Sequence, residues 1–257
     1  MKKKLCRITA LLLAAVLSLG GCGQPGAGKK RTDSTQQTEE TKNKKEDQSK
    51  SDKKGPEIDG LTYESTMDLT YATEFDVYDY KDGYKLLDVH EDRQYLVVPE
   101  GKEAPEGLSE DIVVLQQPLD HIYMAATAIM SLLDAVDAID QVKFSGLNAS
   151  GWYVEDAKKA MESGDMIYAG KYSEPDYETL VNGECDLAVE STMILHTPKV
   201  QEMIEDLDIP VFVDYSSYES HPLGRTEWIK LYGAMSAKMP FTPPTTWFER
   251  VSSLACV

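Results

Sequence analysis

The amino-acid sequence predicts an α/β fold: a doubly wound, mainly parallel sheet preceded by an N-terminal β-hairpin. Two observations support this prediction. Residues 111–238 alternate short apolar runs with helical segments, which is the pattern of repeated βα units. Before them, residues 74–80 and 84–89 alternate apolar and polar side chains on either side of a Lys-Asp-Gly turn, which is typical of a hairpin.

The elements follow in order after the hairpin. Residues 93–99 predict one more strand, and the apolar run at 111–115 is typical of a strand covered on both faces. Residues 122–136 are rich in Ala, Met and Leu and predict a helix, so these two segments make a βα unit. Further strands are predicted at 142–145, 165–169, 186–190 and 210–214, and further helices at 154–163, 175–182, 198–207 and from Thr226 onward.

The first residues predict an exported lipoprotein. A basic start is followed by an apolar stretch at 8–19 that is too short to span a bilayer stably. The next residues, Leu-Gly-Gly-Cys ending at Cys22, resemble the lipobox of bacterial lipoproteins, whose cysteine is diacylated and becomes the new N-terminus. We therefore expect a signal peptide at 1–21 and a protein that Cys22 anchors, through two acyl chains, to the outer face of the cytoplasmic membrane.

Residues 22–60 predict a disordered tether between this anchor and the folded part. After Cys22 the segment has nine basic and eight acidic residues and almost no large apolar side chain, so it cannot offset its chain entropy by burial. The chain has a net charge of −18, and its acidity lies in residues 61–257. This charge argues against nucleic acid and anionic lipid as partners.

The loops that follow the predicted strands are the expected ligand-binding face, because doubly wound sheets bind ligands outside the carboxyl ends of their strands. These loops lie at 116–121, 146–153, 170–175, 191–195 and 215–225. They are rich in side chains that offer hydrogen bonds and aromatic faces. The candidate ligand-binding residues are Gln117, Trp152, Tyr153, Lys171, Tyr172, Glu190, Ser191, Thr192, Tyr218, His221 and Arg225.

Two of these residues carry specific hypotheses. Glu190 ends a predicted strand and is expected to face the cleft as a partner for a cation or a hydrogen-bond donor. Arg225 either clamps an anionic group bidentately or caps the acidic residues around it, and the sequence leaves both interpretations open.

A bare transition metal is the rival ligand. His121, His196 and His221 all lie in or near the predicted loops, and with Glu190 they offer a set of metal ligands, although scattered histidines are often ordinary polar residues. The sequence contains no nucleophile elbow, phosphate-binding glycine loop or zinc-protease motif, so we expect a binding protein rather than an enzyme. A hydrolase built from Glu190 and a histidine is the alternative.

The segment 111–189 resembles the N-terminal lobe of the ABC-transporter substrate-binding proteins for iron-siderophores, haem and cobalamin. In the family motif N-x-E-x-[IL]-x-x-L-x-P-D-L-[IV], Glu178 and the Asp-Leu pair at 186–187 fall in register, whereas Asp176 replaces Asn and Cys185 replaces Pro. Residues 209–234 are similar to the last strand of that lobe and to the start of the long interlobe helix. The lipobox and tether are also usual in this family.

This resemblance implies a solute-binding lipoprotein of an ABC importer. Its cargo would be an iron-siderophore, haem or cobalamin, its membrane contact the lipid anchor, and its protein partners the ABC permease subunits. The glutamate that matches Glu178 pairs with permease arginines in the family, although an ordinary solvated glutamate is the alternative. The resemblance also permits His221 as an axial ligand if the cargo is haem.

The C-terminal residues depart from the family pattern. The prolines after Lys238 forbid a continuing helix. We therefore expect a ligand-binding lobe at 61–225, the start of the interlobe helix at 226–238 and an aberrant, disordered tail at 239–257, with the second lobe missing through a frameshift or truncation. A lineage with a short tail and a non-transporting one-lobe remnant are the alternatives. Without a second lobe, the helix around Trp228 would expose an apolar stripe.

Overall fold

The computed structural model describes residues 54–90 and 92–237. The predicted signal peptide, the lipidation site at Cys22, almost all of the tether and the C-terminal tail lie outside the described residues. Within the described ranges, no helix has the length and apolar character needed to cross a membrane.

The first sheet has five strands in the order β1-β2-β3-β4-β5, antiparallel except for the parallel pair β4 and β5. Its strands are β1 Tyr63–Thr66, β2 Phe75–Tyr80, β3 Lys85–Val89, β4 Gln94–Val98 and β5 Ile112–Gln116. The predicted hairpin is the pair of β2 and β3. Its turn contains Asp82 and Gly83 at φ values of 64° and 87°, a backbone conformation that favours glycine.

The second sheet is entirely parallel and has the order β12-β11-β6-β7-β8. Its strands are β6 Ile122–Met124, β7 Val142–Ser145, β8 Ile167–Tyr168, β11 Leu187–Ser191 and β12 Val211–Asp214, and the short pair β9 Gly170–Lys171 and β10 Glu174–Pro175 follows β8. The chain starts in the centre, builds outward to β8, then returns to the other side of β6. The strand order therefore reverses between β6 and β11, as in a doubly wound sheet.

Six helices connect or flank these strands in the described chain. They are α1 Met130–Ala135, α2 Glu155–Ser163, α3 Tyr177–Asn182, α4 Pro198–Glu205, α5 Pro222–Glu227 and α6 Ile229–Ser236. The predicted α/β fold with an N-terminal hairpin is thus confirmed, and most helices lie within two residues of their predicted bounds.

The prediction of one helix at 122–136 is wrong. Its first residues form β6, which pairs with both β7 and β11, and only the last part is α1. The backbone N–H groups of Ala125 and Ala126 both donate to the Val189 carbonyl at 3.0 Å, so tertiary pairing overrides local helix preference here. A short apolar run fits a buried strand and a buried helix equally well, which explains the error.

The parallel sheet is covered on both faces. Tyr232 of α6 packs on Phe212 and donates a 2.7 Å hydrogen bond to Asp214, so α6 covers one face together with α1. On the other face, Gly183 at the end of α3 lies against Phe144, where a Cβ would come within 2.4 Å of the ring. The side chain of Glu190 lies on the same face as Phe144, so α3 covers the face that contains Glu190.

The expectation that the last helices expose an apolar stripe is wrong. Trp228, Ile229 and Leu231 are at most 1% exposed. Trp228 packs edge to face on Phe75 of the first sheet, with ring centroids 5.0 Å apart. The first sheet therefore covers the surface that was expected to be open, and burial of these side chains joins the two sheets into a common core.

Candidate functional site

The carboxyl edge of the parallel sheet is tightly packed where the strand order reverses. Gly146 follows β7 and its N–H donates to the Met124 carbonyl at 2.8 Å. A Cβ at this glycine would come within 2.9 Å of the Ala125 Cα, so the close approach of the two chains requires glycine.

Glu190 lies on β11 at this edge and is completely buried, with 0% of its surface exposed. Both of its carboxylate oxygens are buried, and neither has a hydrogen-bond partner among the described residues. Burial raises the pKa of Glu190 to about 8. The side chain is therefore mostly protonated at pH 7, which is the usual response of a carboxyl group without a charge partner in an apolar setting.

Two tyrosines flank Glu190. Tyr123 on β6 pairs with Ala188, two residues before Glu190, so both side chains lie on the same face of the sheet. The Tyr123 hydroxyl donates to the Gly170 carbonyl at 3.1 Å. Burial and, secondarily, the charge of Glu190 raise the pKa of Tyr123 and of Tyr177, the first residue of α3. Glu190 thus lies beneath the segment that joins β8 to α3.

Exposed aromatic and aliphatic side chains surround this edge. Tyr153 is 94% exposed and Tyr218 is 60% exposed, and Tyr168 at the end of β8 is 44% exposed. Met193 and Leu195, in the loop after β11, are nearly half exposed. We call these five residues the aromatic rim. Tyr168 ends β8 and the other four residues lie in the loops after β7, β11 and β12, so the rim places exposed apolar side chains along the carboxyl edge of four parallel strands.

Trp152, one of the predicted ligand-binding residues, is almost fully buried, and its indole N–H donates to the Ser145 hydroxyl at 2.9 Å. That hydroxyl also bonds the backbone of Leu147, so Trp152 and Ser145 fix the loop that carries Tyr153. Trp152 therefore shapes the edge from below. Its direct contact with a ligand stays a prediction.

The other predicted residues on the carboxyl edge are distributed over its loops. Lys171 is exposed and lies 3.4 Å from the Glu174 carboxylate, and Tyr172 beside it is half-buried. The Ser191 hydroxyl accepts a hydrogen bond from the Met193 N–H at 3.4 Å, and Thr192 is half-buried. The structure brings these residues to the same edge as Glu190.

His221 and Arg225 lie at α5, after β12. The Nδ1 atom of His221 accepts from the Leu223 N–H at 3.1 Å and caps the helix, and the ring stacks on Tyr71 at a centroid distance of 4.7 Å. Arg225 is exposed and its guanidinium donates to the Ser217 carbonyl at 2.9 Å. This bond fixes Arg225 on the loop after β12, and its role as an anion clamp stays a prediction.

The expectation that the loop at 116–121 lies on the ligand face is wrong. β5 pairs only with β4, and β6 is the first strand of the parallel sheet, so this loop precedes the sheet and approaches its amino edge. The Gln117 side chain donates to the Met235 carbonyl at 3.0 Å and ties the loop to α6. His121 immediately precedes β6 and shares this location.

The three candidate metal-binding histidines do not come together. His121 lies at the amino edge, whereas His196 and His221 follow β11 and β12 at the opposite edge. Within the part of the chain that the structure describes, a single group of three ionisable side chains has metal-binding spacing, and it joins His121 to Asp120 and Asp186. Glu178 is exposed in the first turn of α3, whose N-cap is the Asp176 side chain.

Two glutamates that the sequence analysis did not single out hold the β1–β2 connection. The Glu227 carboxylate accepts the backbone N–H groups of residues 70–72 at 2.7–3.0 Å and the Lys230 ammonium at 2.6 Å. The Glu219 carboxylate accepts the N–H groups of residues 73 and 74 at 2.9–3.1 Å and the Trp228 indole at 3.0 Å. We call this arrangement the glutamate clamp. In an acidic chain no local pattern marks these two residues.

Two open grooves are lined by residues of the first sheet and its connections, and Glu190 lines neither of them. One has a volume of about 400 Å³ beside Lys81 and Lys102, and the other has about 610 Å³ beside His90 and Arg93. Charged residues make up more than half of the lining of each groove, whereas a binding site for a small molecule is normally lined mainly by apolar and aromatic side chains. The carboxyl edge, with its aromatic rim and buried carboxyl group, is therefore the stronger candidate site.

The fold and this edge define an α/β protein with a doubly wound parallel sheet. No family model matches the chain. It is 26% identical over 158 residues to the uncharacterized lipoprotein MJ0878 of Methanocaldococcus jannaschii, covering 58% of this chain and 36% of the relative. It is 23% identical over 254 residues to the uncharacterized lipoprotein MJ0872 of the same organism, covering 97% of this chain and 60% of the relative.

The chain thus spans at most 60% of the length of these curated relatives. Both relatives are named lipoproteins, which agrees with the lipobox that ends at Cys22. A solved structure, the crystal structure of holo-ViuP, matches with a TM-score of 0.36 and 16% sequence identity, covering 52% of this chain and 42% of that chain.

Proposed function

We propose that this protein is a solute-binding lipoprotein of an ABC importer, which captures an iron complex (a siderophore or haem) or cobalamin and delivers it to the permease. The observation that carries the proposal is the carboxyl edge of the parallel sheet. There the aromatic rim surrounds the position where the strand order reverses, which is where doubly wound sheets bind their ligands.

The chemistry of the rim suits a large cargo with apolar faces. Tyr153 and Tyr218 offer exposed rings that stack on a planar or hydrophobic ligand surface, and their hydroxyl groups remain available for hydrogen bonds. Around them, Lys171, Arg225 and Thr192 supply polar groups on neighbouring loops. A few polar groups set in a mainly apolar surface are the usual composition of a small-molecule site.

Glu190 contributes to this edge as a neutral, buried acid rather than as a surface charge. Because both carboxylate oxygens are covered, a ligand reaches this side chain only if the loop after β11 or the segment above Tyr123 moves. In the proposed site, Glu190 therefore places a neutral polar group beneath the rim without contacting the ligand directly. A movement that exposed Glu190 would provide a hydrogen-bond donor at pH 7.

One observation on a potential nucleophile supports binding without turnover. The Cys185 thiol is buried, and burial raises its pKa to about 12, so it is a poor nucleophile at neutral pH. We propose that the protein is no enzyme and that the cargo leaves unchanged. The lipobox places the protein, in this proposal, on the outer face of the cytoplasmic membrane, where an importer collects its cargo.

Calorimetric titration of the full chain in detergent micelles tests the binding proposal. The probes are ferric siderophores, haem and cyanocobalamin, and we expect saturable one-to-one binding of one of them. The double variant Tyr153→Ala/Tyr218→Ala should weaken that binding at least about tenfold, since aromatic anchors commonly contribute more than about 1 kcal/mol. Its stability should change by less than about 0.5 kcal/mol for each exposed site.

Met203→Ala is the matched control, because Met203 on α4 is 49% exposed and outside the rim. It should bind the cargo like the wild type. The proposal fails if none of the probes binds saturably, or if the rim variant and the control bind equally well.

Glu178 is the proposed permease contact. It is exposed on α3, it belongs to a strongly acidic chain, and an arginine-bearing docking surface would be attracted to it. We expect Glu178→Lys to abolish most cargo uptake by the producing cells while leaving cargo affinity unchanged. Glu202→Lys on α4 is the control of equal charge change, and equal uptake by the two variants would refute the docking role.

A further inference from the structure

The amino edge of the parallel sheet brings together three potential metal ligands. They lie at the opposite end of the sheet from the carboxyl edge, where the cargo site is proposed. Asp120 and His121 directly precede β6, and Asp186 directly precedes β11. These strands are parallel neighbours, and Ile122 pairs with Leu187. The residues before them therefore lie side by side, at the end of the sheet opposite to Glu190.

The three side chains are close enough to share one ion. Each offers a ligand atom, either an imidazole nitrogen or a carboxylate oxygen, and these atoms all lie within 4.8 Å of one another. His121 Nδ1 lies 2.9 Å from Asp120 Oδ1. Tetrahedral ligands with metal bonds of about 2.1 Å lie about 3.4 Å apart. The separation of Asp120 from His121 is slightly shorter than this and the widest separation in the group is longer, so a rearrangement of the exposed Asp120 and half-buried His121 side chains would be needed to hold the ion.

Asp186 holds the group in place and leaves one oxygen available. Its Oδ2 atom accepts the backbone N–H groups of Asp120 and His121 at 2.8 and 2.9 Å. Its Oδ1 atom is buried and has no hydrogen-bond partner in the described ranges of the chain. A buried acceptor without a partner is costly, and a cation is the partner that best suits a carboxylate oxygen next to an imidazole.

We infer that Asp120, His121 and Asp186 bind one divalent first-row transition metal ion. One imidazole and two carboxylates supply nitrogen and oxygen ligands of the kind that zinc, cobalt and manganese accept. Three protein ligands leave coordination positions for water. The ion would join the entry into β6 to the entry into β11, and so tie the connection between the two sheets to the centre of the parallel sheet.

The test uses the full chain after chelator treatment, titrated with zinc in a competition assay with a chromogenic chelator. We expect one saturable site per chain. His121→Gln should weaken zinc binding at least about tenfold, and Asp186→Asn should do so as well. Since Asp186 also bonds the backbone, His121→Gln is the decisive variant: among the residues that the structure describes, its imidazole pairs only with Asp120.

His90→Gln is the matched control. His90 lies 3.1 Å from the Asp76 carboxylate, as His121 lies beside Asp120, but this pair belongs to no group of three ligands in the described chain. It should bind zinc like the wild type. Cobalt gives a second readout, because its visible absorption bands should appear in the wild type and in His90→Gln and be absent in His121→Gln.

Two results would overturn the assignment. One is the absence of saturable zinc binding below about 1 mM, where a specific three-ligand site should be filled. The other is equal zinc affinity of His121→Gln and the wild type. Both outcomes leave the cargo proposal untouched, since that proposal rests on the opposite edge of the sheet.

Discussion

The glutamate clamp and the carboxyl edge both contain buried glutamates, but only the glutamates of the clamp are hydrogen-bonded in the described chain. In the clamp, Glu219 and Glu227 accept hydrogen bonds from five consecutive backbone N–H groups, from an indole and from a lysine. At the edge, Glu190 is buried more completely, and its carboxyl group has no partner among the described residues. Burial alone therefore does not reveal whether a glutamate stabilises this fold.

Hydrogen bonding decides the difference. A carboxylate that accepts several N–H donors regains much of the hydration free energy it loses, and it satisfies donors that would otherwise be unpaired. A carboxyl group without partners keeps its desolvation cost and becomes neutral instead. The clamp thus explains how α5 and α6 stay attached to the first sheet. Glu190, in contrast, lowers the stability of the fold by its uncompensated desolvation.

The largest expected effect is at the clamp. Glu227→Ala leaves three backbone N–H groups without their carboxylate acceptor, and the Lys230 ammonium keeps only the Asp68 carbonyl among its hydrogen-bond acceptors in the described chain. We expect the free energy of unfolding to fall by about 3 kcal/mol, the usual result of removing one member of a buried charged network. Denaturant titration measures this loss, and Glu202→Ala, an exposed glutamate on α4, should change stability by less than about 0.5 kcal/mol.

The clamp also predicts a pH dependence. Burial raises the pKa of Glu227, but hydrogen bonds from Lys230 and from the backbone of residues 70–72 outweigh it, so the net pKa lies below 4.5. Its stabilisation is fully present above about pH 4.5 and is lost as the pH falls through the lowered pKa. Glu227→Ala should lack this acid-side loss, and an unchanged acid profile would contradict the role of the clamp.

Glu190 should show the opposite slope. Because burial raises its pKa from 4.5 to about 8, the unfolded state ionises first and stability falls as the pH rises between these values. Glu190→Gln removes the ionisable group but keeps its shape and its unpaired polar atoms. We expect equal stability at pH 4 and a variant that is more stable by a few kcal/mol at pH 8, because each unit of the raised pKa costs the wild type about 1.4 kcal/mol once the group ionises.

Thermal unfolding across this pH range measures the difference between Glu190→Gln and the wild type. A wild type with a flat profile from pH 5 to 8 would show that Glu190 has a partner after all. In that case the comparison between the two regions would no longer hold, and Glu190 would be one more satisfied structural residue.

The sequence predicts these regions unequally, for physical reasons. Strands such as β7, β11 and β12 are short apolar runs bounded by turns, so local composition is sufficient to find them. The clamp joins residues that are far apart, since Thr70 and Glu227 are separated by 157 positions, and no periodicity reports such a contact. The position of Glu190 at a strand end was predicted, but its complete burial depends on how α3 and Tyr177 pack above it.

The apolar segments show the same limit. Residues 122–124 fit a helix by composition, and only their pairing with β7 and β11 makes them a strand. This single error moved β5 into the wrong sheet and the loop at 116–121 to the wrong edge. Trp228 was likewise expected to be exposed, because the sequence does not show that the hairpin sheet packs on it.

The smallest expected effect is at Ser145, whose hydroxyl bonds Leu147 and the Trp152 indole beneath the aromatic rim. Ser145→Ala leaves the indole N–H without an acceptor, so the free energy of unfolding should fall by about 1 kcal/mol. If the edge is a binding site, the cargo affinity of this variant should fall as well, because the loop that carries Tyr153 loses its support. Ser131→Ala, which removes one local hydrogen bond on α1, should change neither quantity. Lost stability with unchanged affinity would show that Tyr153 is positioned by other contacts. The hydrogen bonds of Ser145 would then stabilise the fold, as those of the clamp do, without supporting a binding site.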